Sequence, residues 1–448
     1  MAFDDLSTAP DFQSFIAERT ENFVGRGWVF DRVDAWLASG SGPRTFLLAG
    51  PPGSGKSAIA ARLVQLSEGQ VAGSWPCLRS GFLVHDHFCQ AGLDSTLSPT
   101  TFVQSLSEAL ANRYRAFQEA LQAASPRHVT ITVNQRADQI AGGQMIGVQL
   151  RLQLTGGDAR TLFDEAVRQP LVKLCGQQPN ERIVLLIDSL DEALSFHVSN
   201  NIVQLLRLTN DFPSQVLLVL TCRSKSERVF DLVGRPTLDL VDDAPPGLDE
   251  VKQYALVRLH DSPKPVQGEI AEAIAAKSKG NFLYAFHVLN DLLRAGSIAE
   301  GIPKNELPDE LEDVYRKFLE RELDYSARWN GVYRPLLGAI AVAHGEGLTR
   351  EQLIGITDLE EDTANDVLGV CEQYLVGSET DGRPWRIYHQ SFRDFLLNDR
   401  KYNVFPAERH AAVGRYFQDL YASNWGTCSD EYALRYAPLH WPRPRPVR

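Results

Sequence analysis

Thr45-Phe46-Leu47-Leu48-Ala49-Gly50-Pro51-Pro52-Gly53-Ser54-Gly55-Lys56-Ser57 runs an apolar segment straight into a glycine-rich turn that closes on a lysine and a hydroxyl residue. The order has a physical logic. Glycines let backbone N–H groups close around phosphate oxygens, Lys56 brings a point charge to the terminal phosphates, and Ser57 offers a hydroxyl to Mg²⁺. The next residues, Ala58-Ile59-Ala60-Ala61-Arg62-Leu63-Val64, read as a helix whose positive N-terminus faces the same place. Pro52, Gly53, Ser54, Gly55, Lys56, Ser57 and Ala58 are therefore the candidate phosphate contacts. A buried strand, a turn and a helix in this order predict a P-loop nucleotide site.

Working outward, Ile183-Val184-Leu185-Leu186-Ile187-Asp188-Ser189-Leu190-Asp191-Glu192 places carboxylates at the end of a second apolar strand. Asp188 is the expected Mg²⁺ partner of Ser57, and Asp191 or Glu192 the expected base or water-positioning group. A third strand ends Leu220-Thr221-Cys222-Arg223. Ligands of open α/β sheets bind beyond the carboxyl edge, so Arg223 is a candidate sensor of the γ-phosphate. Lys56, Asp191, Glu192 and Arg223 form the expected catalytic set.

Fully apolar strands alternating with helices indicate an α/β P-loop NTPase core with a parallel sheet covered on both faces. Residues 1–20 carry no repeated pattern, and a short helix is expected over Val29–Leu37 before the first strand. Gly81–His85 reads as a strand and Thr101–Leu121 as one helix. Between Val129 and Leu154 apolar and polar residues alternate, which predicts a β-hairpin insertion near 127–157. Asp242–Gly247 reads as a linker. Three amphipathic stretches then suggest a small helical domain, and from Leu311 helices precede two extended arms around Asp381-Gly382-Arg383-Pro384, the outline of a winged helix. The expected division is an N-terminal segment 1–20, the NTPase domain 21–241, a helical domain 242–307, a winged-helix domain 308–402 and the start of a further helical segment 403–448.

Composition narrows the partners. The 448 residues carry a formal charge of −12, which favours solubility and argues against a nucleic-acid backbone as main partner. The longest apolar runs fall far short of the roughly 18–20 residues that cross a bilayer. The acidic start lacks a secretory signal, so a cytoplasmic protein without a membrane partner is expected. The six cysteines show no paired spacing, which fits reduced thiols better than a zinc site or disulfides.

With the phosphate cradle, the Asp-Ser-Leu-Asp-Glu segment and the strand-end arginine in this order, the chain resembles the STAND class of signalling P-loop ATPases, in its NACHT branch. Phe23-Val24-Gly25-Arg26 looks like the motif of that class whose backbone receives the adenine. Lys277 to Ala285, with Phe282, looks like the helical-domain motif packing beside the base, and Tyr388-His389-Gln390-Ser391 opens what looks like the winged-helix motif. Gly27 stands where an acidic residue often follows the Gly-Arg pair, and Phe282 where many relatives carry proline.

The resemblance implies an ATP/ADP switch with Mg²⁺, in which His389 touches the β-phosphate of bound ADP and locks a closed state. ATP exchange would then open the protomer for self-assembly, hydrolysis would be slow, and the role would lie in defence or stress signalling. It also implies an effector domain before this chain and repeats after it that receive an unknown trigger, so the chain is expected to be a piece of a longer protein.

The rival expectation is a DNA-acting, origin-recognition-type ATPase, which also joins a P-loop core to a winged helix. Charge opposes it: Gly331–Arg400 holds 12 acidic against 6 basic residues, and the expected recognition helix Glu360–Tyr374 has five acidic residues and no basic one.

Overall fold

The computed structural model describes residues 10–40, 42–91, 93–124, 129–140, 143–154, 158–194, 196, 200–247, 249–295, 307–322, 328–378, 382–422 and 425–441. The described chain divides into two compact units, Met1–Val257 and Arg258–Arg448.

The first unit is built on a five-stranded sheet of β1 (Thr45–Gly50), β2 (Leu83–Phe88), β5 (Ile183–Asp188), β6 (Val216–Arg223) and β7 (Leu238–Asp239). The spatial order is β2-β5-β6-β1-β7, and every pairing is parallel. Successive strand residues alternate between two cores, as a sheet buried on both faces requires. Phe46, Leu48, Val184, Leu186 and Val219 pack with the helices α1 (Gln13–Thr20), α2 (Gly27–Ser39) and α3 (Lys56–Glu68). Leu47, Ala49, Leu185, Ile187, Leu218 and Leu220 face the opposite way, onto helices that include Pro99–Arg113 and Ile202–Arg207. Each buried leucine contributes about 1.5–3 kcal/mol, so the alternation fixes the register of every strand.

Three local features differ from the sequence-based expectations. Residues Gln13–Thr20 form a helix, with Phe12, Ile16 and Thr20 buried at a spacing of four, too few positions to register as a repeat. The helix expected over Thr101–Leu121 breaks at Tyr114, which adopts an extended backbone (φ −123°) between Pro99–Arg113 and Arg115–Ala124. The second strand runs on to Phe88, beyond the expected His85. Away from the main sheet, β3 (Val129–Ile140) and β4 (Gly143–Leu154) pair antiparallel, Val129 opposite Leu154 and Ile140 opposite Gly143. The first unit continues past the Asp242–Gly247 stretch, because Glu250 on the helix Glu250–Arg258 is anchored to Arg26.

Among the described residues, the second unit is helical apart from the antiparallel pair β8 (Leu375–Ser378) and β9 (Arg383–Ile387). Helices Arg350–Thr357 and Glu361–Val370 precede that pair, and Leu348 adds a bridge to Trp385. Thr349 and Gln352 form a capping box that fixes where the first of these helices starts. The core gathers Tyr315, Phe318, Tyr374, Phe392 and Leu396. Among the described residues no helix is long and apolar enough to cross a membrane.

Candidate functional site: a phosphate loop at the carboxyl edge of the sheet

Parallel register sets the site. Gly50 lies opposite Arg223, Ile187 opposite Leu220 and Phe88 opposite Asp188, so the ends of four strands bring the loop, the carboxylate and the arginine to one edge. The turn between β1 and α3 depends on Gly53 and Gly55, whose φ values of +79° and +89° are strained for any residue with a Cβ. Gly55 is the N-cap of α3, which points the first free N–H groups of that helix into the loop.

Lys56 is buried, and its ammonium donates to the carbonyls of Gly50 (2.8 Å) and Pro51 (3.1 Å). Burial lowers its pKa, and the charges of Asp191 and Asp188 oppose that shift. The hydroxyl of Ser54 is buried without a hydrogen-bond partner. Pro52, Gly53, Ser57 and Ala58 are half-buried around them.

Asp188 is buried at the end of β5. It accepts from the Thr221 hydroxyl at 2.5 Å and from the Ser189 hydroxyl at 3.1 Å, and the Ser57 hydroxyl also bonds to it. Burial raises its pKa, against the pull of these donors and Lys56. Ser57 and Asp188 thus meet, giving the pair of hard oxygen donors that suits Mg²⁺. The orphaned Ser54 hydroxyl and a desolvated Lys56 resting on backbone carbonyls are groups a phosphate would satisfy. The residues therefore fit Mg²⁺ with a nucleoside phosphate: Lys56, Ser54 and the loop N–H groups would hold the phosphates, Ser57 and Asp188 the ion. The ion would supply charge neutralisation at the phosphate oxygens.

Asp191 receives Arg223 twice, from its backbone N–H (3.0 Å) and from its guanidinium Nε (3.0 Å). Glu192 accepts from the backbone N–H of Ala91, just beyond β2. Desolvation, then the neighbouring Asp191, pushes the Glu192 carboxyl up to about 7. The two acidic candidates thus differ: Asp191 anchors the arginine, while Glu192 titrates near neutrality.

Arg26 adopts a left-handed backbone (φ +62°) and is buried. One guanidinium nitrogen donates to the Ser54 carbonyl at 2.6 Å, and another pairs with Glu250 at 3.2 Å. Its backbone N–H also donates to Glu250. Phe23 lies under the Arg62 guanidinium of α3, 4.6 Å from ring centroid to Cζ. The Phe23-Val24-Gly25-Arg26 segment is thereby tied to the phosphate loop and its helix. Gly25 permits this close approach, since a Cβ there would stand 2.7 Å from the Glu250 carboxylate.

Phe282 and His389 belong to the second unit. Phe282 opens the helix Phe282–Ala295, and His389 caps Gln390–Asn398, accepting from the Ser391 N–H at 3.1 Å through Nδ1. In the neutral ring that bond assigns the proton to Nε2. Ser391 also meets the Tyr315 hydroxyl at 2.8 Å.

Sequence reasoning missed Thr221, Glu250 and the Ala91 N–H. Thr221 left a signal, a polar residue inside an apolar strand that needs a buried partner. Glu250 stands 224 positions from Arg26, so nothing in the local sequence joins the two, and a backbone donor leaves no trace in composition.

Residues 22–219 match the family described as AAA ATPase domain. The first unit thus carries a P-loop ATPase core. No curated protein matches the chain. Among solved structures, a STAND (signal transduction ATPase with numerous domains) protein with a tetratricopeptide-repeat sensor from Pyrococcus horikoshii is similar at 11% identity and TM-score 0.40. That match covers 89% of this chain and 45% of the other, so the chain spans less than half the length of that protein. The Aeropyrum pernix Orc1 protein, solved in complex with DNA, is similar at 16% identity and TM-score 0.32, over 85% of this chain and 94% of that one. Drosophila ORC bound to DNA gives 12% identity and TM-score 0.28, over 90% and 98%.

Proposed function

We propose that the chain is an ATP/ADP-binding signalling switch of the STAND/NACHT type, closed with ADP and opening on ATP exchange to self-assemble. The observation that carries the reading is the meeting of buried Asp188, Ser57 and Lys56 at the loop. It supports tight Mg²⁺–nucleotide binding. Slow hydrolysis is supported by two tethers: Arg223 Nε is engaged by Asp191, and one Glu192 oxygen by the Ala91 N–H, so part of the hydrogen-bonding capacity of each group is already taken up. A missing arginine finger costs roughly 10³ to 10⁵ in rate, which a neighbouring protomer would restore on assembly.

In this reading Phe23, Val24, Gly25 and Arg26 receive the adenine side of the nucleotide, Phe282 packs beside the base and His389 donates from Nε2 to the β-phosphate of ADP. Taking such a switch from mostly closed to mostly open requires about 5.5 kcal/mol of differential binding. Contacts to a γ-phosphate and Mg²⁺, with loss of the His389 contact, supply part of it.

The test is light scattering with parallel turnover assays. ATP with Mg²⁺ should enlarge the particles while ADP does not, and turnover per chain should climb many-fold with protein concentration. Rapid turnover by a stable monomer contradicts the switch.

A second reading, a DNA-acting initiator-type ATPase, is favoured by the succession of Arg350–Thr357, Glu361–Val370 and the β8–β9 pair, which has the outline of a winged helix. The helix Glu361–Val370 carries three acidic residues and no basic one, a poor match to a groove lined with phosphates. Salt-dependent nanomolar DNA affinity would select this second reading.

A further inference from the structure

Three histidines of the second unit converge from distant stretches. His344 follows the helix Arg334–Val342, His410 lies on Pro406–Tyr421, and His440 ends Glu431–His440. One ring nitrogen from each lies within 4.8 Å of the others, and Nδ1 of His410 stands 3.0 Å from Nδ1 of His440. His440 is buried, at 2% exposure, while His344 and His410 are half-buried.

A hydroxyl organises the group from behind. Tyr432 Oη lies 2.9 Å from Nε2 of His440 and accepts the backbone N–H of His344 at 3.1 Å. When His440 donates from Nε2 to this oxygen, its Nδ1 is left as a lone pair directed at His410.

Burial, then Arg393 and His410, lowers the ring pKa of His344 to about 4, and burial, then His344 and His410, lowers that of His440 to about 3. Burial and Arg393 lower that of His410 as well. All three rings are neutral near pH 7, the form in which imidazole binds metal.

We propose that His344, His410 and His440 form a transition-metal site that takes Zn²⁺ and clasps the helix Glu431–His440 to Pro406–Tyr421. A tetrahedral ion with Zn–N bonds of about 2.0–2.1 Å sets its ligand nitrogens about 3.3 Å apart. The His410–His440 separation is already close to that value. The widest gap closes with about 1.5 Å of side-chain adjustment, within reach of the half-buried His344. Imidazole donors suit Zn²⁺, Cu²⁺ and Ni²⁺, whereas Mg²⁺ and Ca²⁺ require oxygen, so this site and the phosphate loop select different ions. Water completes the coordination. Tyr432 is a positioning residue that fixes the His440 ring.

The experiment uses the full chain, treated with chelator and then saturated with ADP and Mg²⁺ so that the phosphate loop is filled. Zn²⁺ is titrated by calorimetry and Co²⁺ by visible absorption. The expected result is one ion per chain, intense tetrahedral Co²⁺ bands, and a thermal midpoint raised by roughly 5 °C or more at saturating Zn²⁺. His410→Ala should weaken binding by at least about 100-fold, and Tyr432→Phe by about 10- to 100-fold with the band shape kept. His344→Asn gives the same test at a half-buried position should His410→Ala fail to fold. Replacing the exposed His260 by Ala should change nothing. The proposal is overturned if folded, chelator-treated protein takes up no Zn²⁺, or if His410→Ala and His344→Asn bind it as tightly as the unaltered chain.

Discussion

The phosphate loop of the first unit and the histidine cluster of the second are built by opposite routes. Eight consecutive residues, Gly50–Ser57, make the loop, and most of its recognition comes from backbone N–H groups that only a particular order of glycines exposes. The histidines instead reach one point from three separate stretches, each an ordinary helix or loop position by itself. A contiguous site is written in order and spacing, and an assembled site in tertiary packing. The first unit contains both kinds, because the contiguous loop leans on Arg26 and Glu250, which are far apart in the chain.

Glu250→Ala presses hardest on this contrast. It leaves the buried Arg26 guanidinium without its carboxylate, and breaking such a pair costs about 3–5 kcal/mol. Denaturant unfolding should show that loss in the first unit; a change within about 0.5 kcal/mol would mean that the loop stands without its distant support.

Lys56→Ala should weaken ATP binding by on the order of 4 kcal/mol, roughly a thousandfold, as expected for one side of a buried charge contact. Calorimetric titration measures it, and the second unit should keep its thermal midpoint.

Acid offers a third comparison. His85 and His87 on β2 have ring pKa values pushed down by burial to about 3 and about 4. They stay neutral when folded and take up protons on unfolding, so their contribution is complete above about pH 6.5 and is lost as pH falls towards 4. Between pH 7 and 5 the pair should cost roughly 3 to 4 kcal/mol. The second unit carries four such rings, His287, lowered to about 3 by burial, with His344, His410 and His440, so in the absence of a bound metal its loss has the same sign and is at least as large. Stability curves that stay flat from pH 7 to 5 would contradict buried neutral rings.

The smallest effect is Thr349→Ala, which removes one arm of the capping box and should cost the second unit about 1 kcal/mol without altering nucleotide affinity.

Legibility followed the same division. The parallel sheet was readable because Ile183–Ile187 and Val216–Leu220 are apolar throughout, and the loop because glycine, lysine and serine stand in a fixed order. The alternation from Val129 to Leu154 marked the stretch that pairs as β3 and β4. The helix Gln13–Thr20 was not legible, since two turns give too few buried positions to show a period. The break at Tyr114 was hidden because both flanking helices keep apolar residues at helical spacing. Glu250 and the histidine cluster were invisible for a different reason: their chemistry depends on which distant residue ends up beside them.

Lys56, Ser57 and Asp188 are proposed to hold a regulatory nucleotide. The most direct test is to denature the purified chain and identify and count the nucleotide released by chromatography. About one ADP per chain should be released, retained through purification and lost in Lys56→Ala. A chain that releases no nucleotide, and that binds neither ADP nor ATP when they are supplied with Mg²⁺, would contradict the proposal.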